Sequence, residues 1–109
     1  MELITKTDEL KKLCDRLEQK PYITIDTEFL RDKTYYPRLC LVQLSSDDIE
    51  ETAVDTLADG LDLTPLYTLL KNKNVVKVFH ACRQDLEIFY YAMGELPSNV
   101  FDTQVAAMV

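Results

Sequence analysis

Glycine is scarce, with two in 109 residues, and tryptophan is absent. Low-complexity segments, internal repeats and Ser/Gly-rich linkers are missing as well. Nothing therefore divides the chain, and its length suits one compact domain and not two. No apolar run approaches the roughly 20 residues of a membrane-spanning helix, so no membrane partner is expected. The opening MELITKTDELKK lacks the basic-then-apolar layout of a secretory signal. Cysteine is limited to Cys14, Cys40 and Cys82, an odd count without a close-spaced pair. That argues against a disulfide framework and a cysteine zinc site, and the expectation is reduced thiols in the cytoplasm. Basic charge is short too: twelve Lys and Arg against nineteen Asp and Glu leave a formal net charge of −7. Such a chain is not an obvious nucleic-acid binder, because phosphate contacts need cations. A nuclease that holds divalent metal on carboxylates is nevertheless acidic at its site, so nucleic acid stays open as a partner.

What is present reads as alternating elements. Thr7 is a candidate N-cap, with Asp8 and Glu9 in the first turn and Leu10, Leu13 and Leu17 at helical spacing before Pro21. Residues 22–29 and 38–46 read as strands; SDDIEE is a solvated acidic turn into a third strand, TAVDT. Short connections predict an antiparallel meander. Leu63, Leu66, Leu69 and Leu70 then return to helical spacing, with Thr64 and Pro65 in the first turn. VVKVFH (75–80) is nearly all apolar and predicts a central strand. A helix over 82–93 follows, with Leu86, Phe89, Tyr90 and Met93 as its stripe and Gly94 as its cap. NVFDT is a fifth strand, and TQVAAMV begins another helix. The apolar, uncapped ending predicts a domain truncated at its C-terminus; a docked terminal helix is the alternative.

The stretch PYITIDTEFL sets Asp26 and Glu28 one residue apart on an apparently buried strand. A buried, unpaired carboxylate costs several kcal/mol, so these acids are at the surface or meet a cation. Their period-two spacing sends both side chains from one face. Converging carboxylates suit Mg²⁺ or Mn²⁺, which prefer oxygen ligands. Alone, D-x-E is a weak signal, and a solvated surface pair is the plain alternative. Asp85, near the start of the helix after VVKVFH, supplies a third acid if the two strands are neighbours. Three carboxylates do not all stay ionised in one place without metal; with it they suit two-ion phosphodiester hydrolysis.

On these residues the chain resembles a known family. YITIDTEFLRDKTYYPRLCLVQLS looks like the first motif of the ribonuclease D family of DEDD-type 3′–5′ exonucleases. VVKVFHACRQDLEIFYYAMGELPSNVFDTQVAA resembles its second motif and the segment after it. The resemblance implies a ribonuclease-H-like α/β fold over 1–109: a mixed five-stranded sheet, three antiparallel strands then two parallel, flanked by helices. It also implies hydrolysis from RNA 3′ ends with two divalent metals, releasing nucleoside 5′-monophosphates, in processing of tRNA and other structured RNA. Asp26, Glu28 and Asp85 would be the catalytic and metal-binding carboxylates. Thr27 and Phe29 would lie beside the terminal nucleotide.

The departure concerns the third motif, a Tyr followed four residues later by the fourth Asp. Neither tyrosine downstream of Asp85 (Tyr90 or Tyr91) has Asp at that spacing. Asp102 is a tempting substitute, but it precedes the place of that motif and reads better as a helix cap. His80 and Asp85 form H-x4-D, which imitates the third motif of the sister histidine-type exonucleases. Adopting it would leave no second motif, so a general-base His80 is the lesser reading beside a hydrogen-bonded strand-end histidine or a substrate-binding residue near the RNA backbone. Arg31, Lys33, Arg38 and Arg83 are candidates for RNA phosphates, with a solvated charged face as the alternative. Tyr35, Tyr36 and Pro37 suit base stacking or core packing equally. Besides the exonuclease, two readings remain: a non-catalytic fragment that binds metal or RNA, and a subunit completed by another chain. Sequence does not choose between RNA and DNA.

Overall fold

The structure, a computed structural model, describes residues 2–30, 38–80 and 83–103, without the side chains of 29, 30, 38 and 83–85. Among the described residues nine elements run in chain order: β1 (Glu2–Ile4), α1 (Thr7–Leu17), β2 (Tyr22–Leu30), β3 (Arg38–Ser46), β4 (Ile49–Asp55), α2 (Thr64–Lys71), β5 (Val76–Phe79), α3 (Arg83–Met93) and β6 (Val100–Asp102). One sheet contains all six strands in the order β1-β4-β3-β2-β5-β6. The meander β2-β3-β4 is antiparallel, and β5 and β6 extend it in parallel beyond β2. This is the predicted arrangement plus a sixth strand, β1, parallel to β4 at the far edge. Three residues long and with only Ile4 buried, β1 offers too little alternation to be read from sequence.

The order of strands decides where the helices go. β1 to β2, β4 to β5 and β5 to β6 each join parallel strands, and each step moves the same way across the sheet. Parallel crossovers are almost always right-handed, so α1, α2 and α3 all fall on one face. The core agrees. Ile4, Ile23, Ile25, Val42, Leu44, Val54 and Phe79 are the buried apolar residues that the strands send to the centre of that face. Against them lie Leu10, Leu13 and Leu17 of α1, Leu66, Leu69 and Leu70 of α2, and Ile88 and Phe89 of α3. Phe79 and Phe89 meet edge to face with ring centroids 6.2 Å apart. No described helix is long and apolar enough to cross a membrane.

Several local readings change. The N-cap of α1 is Lys6, and Thr7 has another task. Its hydroxyl donates to the Gly60 carbonyl (3.4 Å) and accepts the Asp62 N–H (2.9 Å), tying α1 to the loop before α2. The acidic turn shrinks to Asp47 and Asp48, because Ile49 is buried and already belongs to β4. Tyr90 is 52% exposed and leaves the α3 stripe, whose buried members are Ile88 and Phe89. Gly94 ends α3 as predicted, at φ +80° with its N–H on the Tyr90 carbonyl, where a left-handed residue costs glycine nothing. Cys14 and Cys40 are not disulfide-bonded; burial pushes the Cys14 thiol up to about 12, which keeps it protonated and unreactive.

One charge lies inside the core face. Lys77 of β5 is 0% exposed. Its ammonium donates to the Asn72 carbonyl just beyond α2 and to Ser98 Oγ (3.3 Å). Ser98 Oγ in turn donates to the Lys71 carbonyl (2.9 Å), and Ser98 N–H to that of Leu70 (3.0 Å). The last carbonyls of α2 thus find donors, and a cation sits at the helix's negative end. Desolvation still dominates, lowering Lys77 from 10.5 to about 8.

Two outcomes are expected. Truncation of fully buried Leu10 to Ala should lower unfolding free energy by about 2–5 kcal/mol in denaturant titration. For Lys77, the folded chain gives up its proton near pH 8 whereas the unfolded chain keeps it to about 10.5. Between these values the unfolded state binds more protons, so stability rises with pH. The denaturant midpoint of wild type relative to Lys77→Met should therefore climb from pH 7.5 to 10; a level difference would contradict the strain on the ammonium.

Candidate active site

The face without described helices is where the acids stand. Along β2, Ile23 and Ile25 turn into the core, so Thr24, Asp26 and Glu28 emerge opposite. The register sets Asp26 across from Gln43 and Glu28 across from Leu41 on β3. On the other side, β2 pairs with β5 only as far as Thr24 and Val78. Asp26 and Glu28 therefore lie past the last β5 partner, where the sheet opens. Both are exposed, with Cα atoms about 7 Å apart at strand rise. The strand is buried on one face alone, so the acids are solvated and not shut in the core. Among the described residues, neither carboxylate has an ion-pair or hydrogen-bond partner.

Beside Asp26 the opening is a cleft of about 330 Å³, lined by Thr24, Ile25, Asp26, Val78, Phe79, His80 and Thr103. It is lined by the middle of β2, the carboxyl end of β5 and the first residues after β5 and β6. Thr24 and Ser45 share a hydroxyl–hydroxyl hydrogen bond across β2 and β3. His80 is exposed, with Nδ1 3.0 Å from Thr103 Oγ1. Thr103 Oγ1 donates to the Phe79 carbonyl at 3.2 Å.

The predicted residues fare differently. Asp26, Glu28 and His80 come to one end of the sheet, His80 sharing the cleft with Asp26. Asp85 is in the first turn of α3, which leaves β5 at that same end; its side chain lies outside the described residues. Among described side chains, no three of His, Cys, Asp or Glu gather around one point. Thr27 falls on the helix-bearing face, in register with Val42, so a role beside Asp26 would have to use its backbone. Asp102 pairs with Phe79 and shares that face, away from Asp26 and Glu28. The side chains of Phe29, Arg38 and Arg83, and residues Arg31, Lys33, Tyr35, Tyr36 and Pro37, lie outside the described residues. Thr24 and Thr103 were not foreseen as lining residues. For Thr24 the signal was its period-two relation to Asp26; Thr103 had none, because its neighbour is 23 residues away. The spacing of the third motif occurs once, at Tyr22 and Asp26, but along a strand it spans about 13 Å and lies within the first motif.

Comparison with known proteins follows the same lines. Ribonuclease D of Gluconacetobacter diazotrophicus is 60% identical over 107 residues, covering 98% of this chain and 27% of that protein. The crystal structure of Escherichia coli RNase D, described as an exoribonuclease involved in structured RNA processing, superposes with a TM-score of 0.89 at 39% identity, covering 97% of this chain and 28% of that one. Trypanosoma brucei RNase D in complex with RNA U12 gives 0.81 at 26% identity, over 95% of this chain and 37% of that one. The fold is thus the ribonuclease-H-like α/β fold that the resemblance implied. The chain spans little more than a quarter of the curated relatives it matches. Because the sequence model for the 3′–5′ exonuclease matches residues 1–109 throughout, the chain belongs to that family.

Proposed function

We propose that residues 1–109 carry the first and second motifs of a metal-dependent 3′–5′ exoribonuclease. The observation that carries this reading is the pair Asp26 and Glu28: exposed, unpartnered among the described residues, on one face, beside a cleft at the strand ends. Hard carboxylate oxygen donors fit Mg²⁺ or Mn²⁺, and the donor set suits two ions with Asp85 from α3. When bound, such ions supply charge neutralisation at phosphate and an activated water. Asp26 and Glu28 are fixed by β3 pairing on one side, so their carboxylates need little reorganisation to hold a ligand. The terminal nucleotide would occupy the cleft, along Thr24, the backbone of Thr27, Phe29 and His80.

In the proposed reaction, a water oxygen bonds to the phosphorus of the last nucleotide. The bond from that phosphorus to O3′ of the preceding residue breaks, O3′ takes a proton, and a nucleoside 5′-monophosphate leaves. RNA as substrate, and structured RNA in particular, is supported by the E. coli protein, an exoribonuclease involved in structured RNA processing, and by the T. brucei complex with RNA U12; tRNA precursors are what the family resemblance implies. A cytoplasmic location fits Cys14 and Cys40, neither of them disulfide-bonded. A second reading is the alternative that the sequence left open beside the exonuclease. On that reading this chain binds metal or RNA without turnover, or is completed by another chain.

Calorimetric titration with Mn²⁺ should show Asp26→Asn and Glu28→Gln each weakening binding about tenfold or more. Their thermal midpoints should stay near wild type, since both sites are exposed. Incubated with 5′-labelled single-stranded RNA and Mn²⁺, the chain should give a ladder shortening from the 3′ end that Asp26→Asn abolishes. Metal binding without a ladder would favour the second reading, and no metal binding would overturn both.

A further inference from the structure

The chain has one histidine, and its hydrogen bonds settle which ring nitrogen is free. Thr103 Oγ1 has a single proton. A carbonyl has none to give, so the contact with the Phe79 oxygen commits that proton. Thr103 therefore meets His80 Nδ1 with a lone pair, and in the neutral ring Nδ1 carries the hydrogen. Nε2 is left unprotonated, without a hydrogen-bond partner among the described residues, on a ring that lines the cleft with Asp26. It is an acceptor set beside other acceptors.

That chemistry narrows what Nε2 can meet. Phosphate oxygens offer no proton, and a lone pair repels them. The donors of a 3′-terminal nucleotide are its sugar hydroxyls and, on some bases, exocyclic amines. Amines vary from base to base, whereas every ribonucleotide end has the hydroxyls, and the 2′-hydroxyl separates RNA from DNA. Resting on the exonuclease reading, we propose that His80 Nε2 accepts a hydrogen bond from a ribose hydroxyl of the 3′-terminal nucleotide. His80 then recognises the sugar, and Thr103 is the positioning residue that fixes its tautomer.

A long-range ¹H–¹⁵N spectrum tests this without relying on turnover, since its histidine signals can come only from His80. At pH 8 the free chain should show the Nδ1–H form, and Thr103→Val should shift the ring toward the Nε2–H form that free imidazole side chains prefer. In Mg²⁺, AMP should shift the Nε2 signal and 2′,3′-dideoxy-AMP should not. The 2′-deoxy and 3′-deoxy nucleotides then identify the hydroxyl. An Nε2–H tautomer in the free chain, or equal responses to AMP and dideoxy-AMP, would overturn the proposal. If AMP moves the Thr24 and Val78 amides but not Nε2, the sugar contact alone fails. If no nucleotide moves any cleft signal, the exonuclease reading fails with it.

Discussion

The handedness of crossover connections is the constraint on which the rest depends. Three parallel links all step in one direction across the sheet, so right-handed winding gathers every described helix on one face. A single core results, and the opposite face of β2 is free of it. Asp26 and Glu28 are exposed there because that face was never enclosed. A helix on that side of β2, packed as α1 and α2 are on the other, would have had to desolvate two carboxylates at several kcal/mol each.

A second constraint is that β5 is short. Four residues pair with β2 only through Val78, and β2 continues alone on that side. The sheet splits where its strands point their carboxyl ends, which is where open α/β sheets characteristically hold ligands. The cleft, the imidazole and the first turn of α3 all follow from that early end. Ordinary strand alternation then decides which side chains face the opening: Thr24, Asp26 and Glu28 do, and Thr27 does not.

The elements most legible in the sequence were those with strong period. The leucines of α1 and α2, the meander and the apolar β5 all stand where alternation or helical spacing set them. Short or doubly determined pieces were not legible. β1 has three residues and one buried side chain, below what a pattern can register. Thr7 sits where a cap is expected, yet its hydroxyl is taken by a loop more than fifty residues away. Tyr90 matched a helical stripe that the true packing rotates toward Ile88. At the site, the acid pair could be read because both members lie on one strand. Thr103 could not, because its contact with His80 exists only once β5 and β6 lie side by side.

Lys77 gives the fold a mechanical character beyond its electrostatics. The loop before β6 is hooked to the end of α2 by Ser98 and Asn99, whose amide nitrogen holds the Lys73 carbonyl at 3.1 Å. The ammonium fastens the same junction from below. Because β6 leads directly into Thr103, the imidazole at the cleft is geared to a helix on the far side of the sheet. The end of α2, the loop before β6, Thr103 and His80 are thus joined in one connected run of chain and hydrogen bonds.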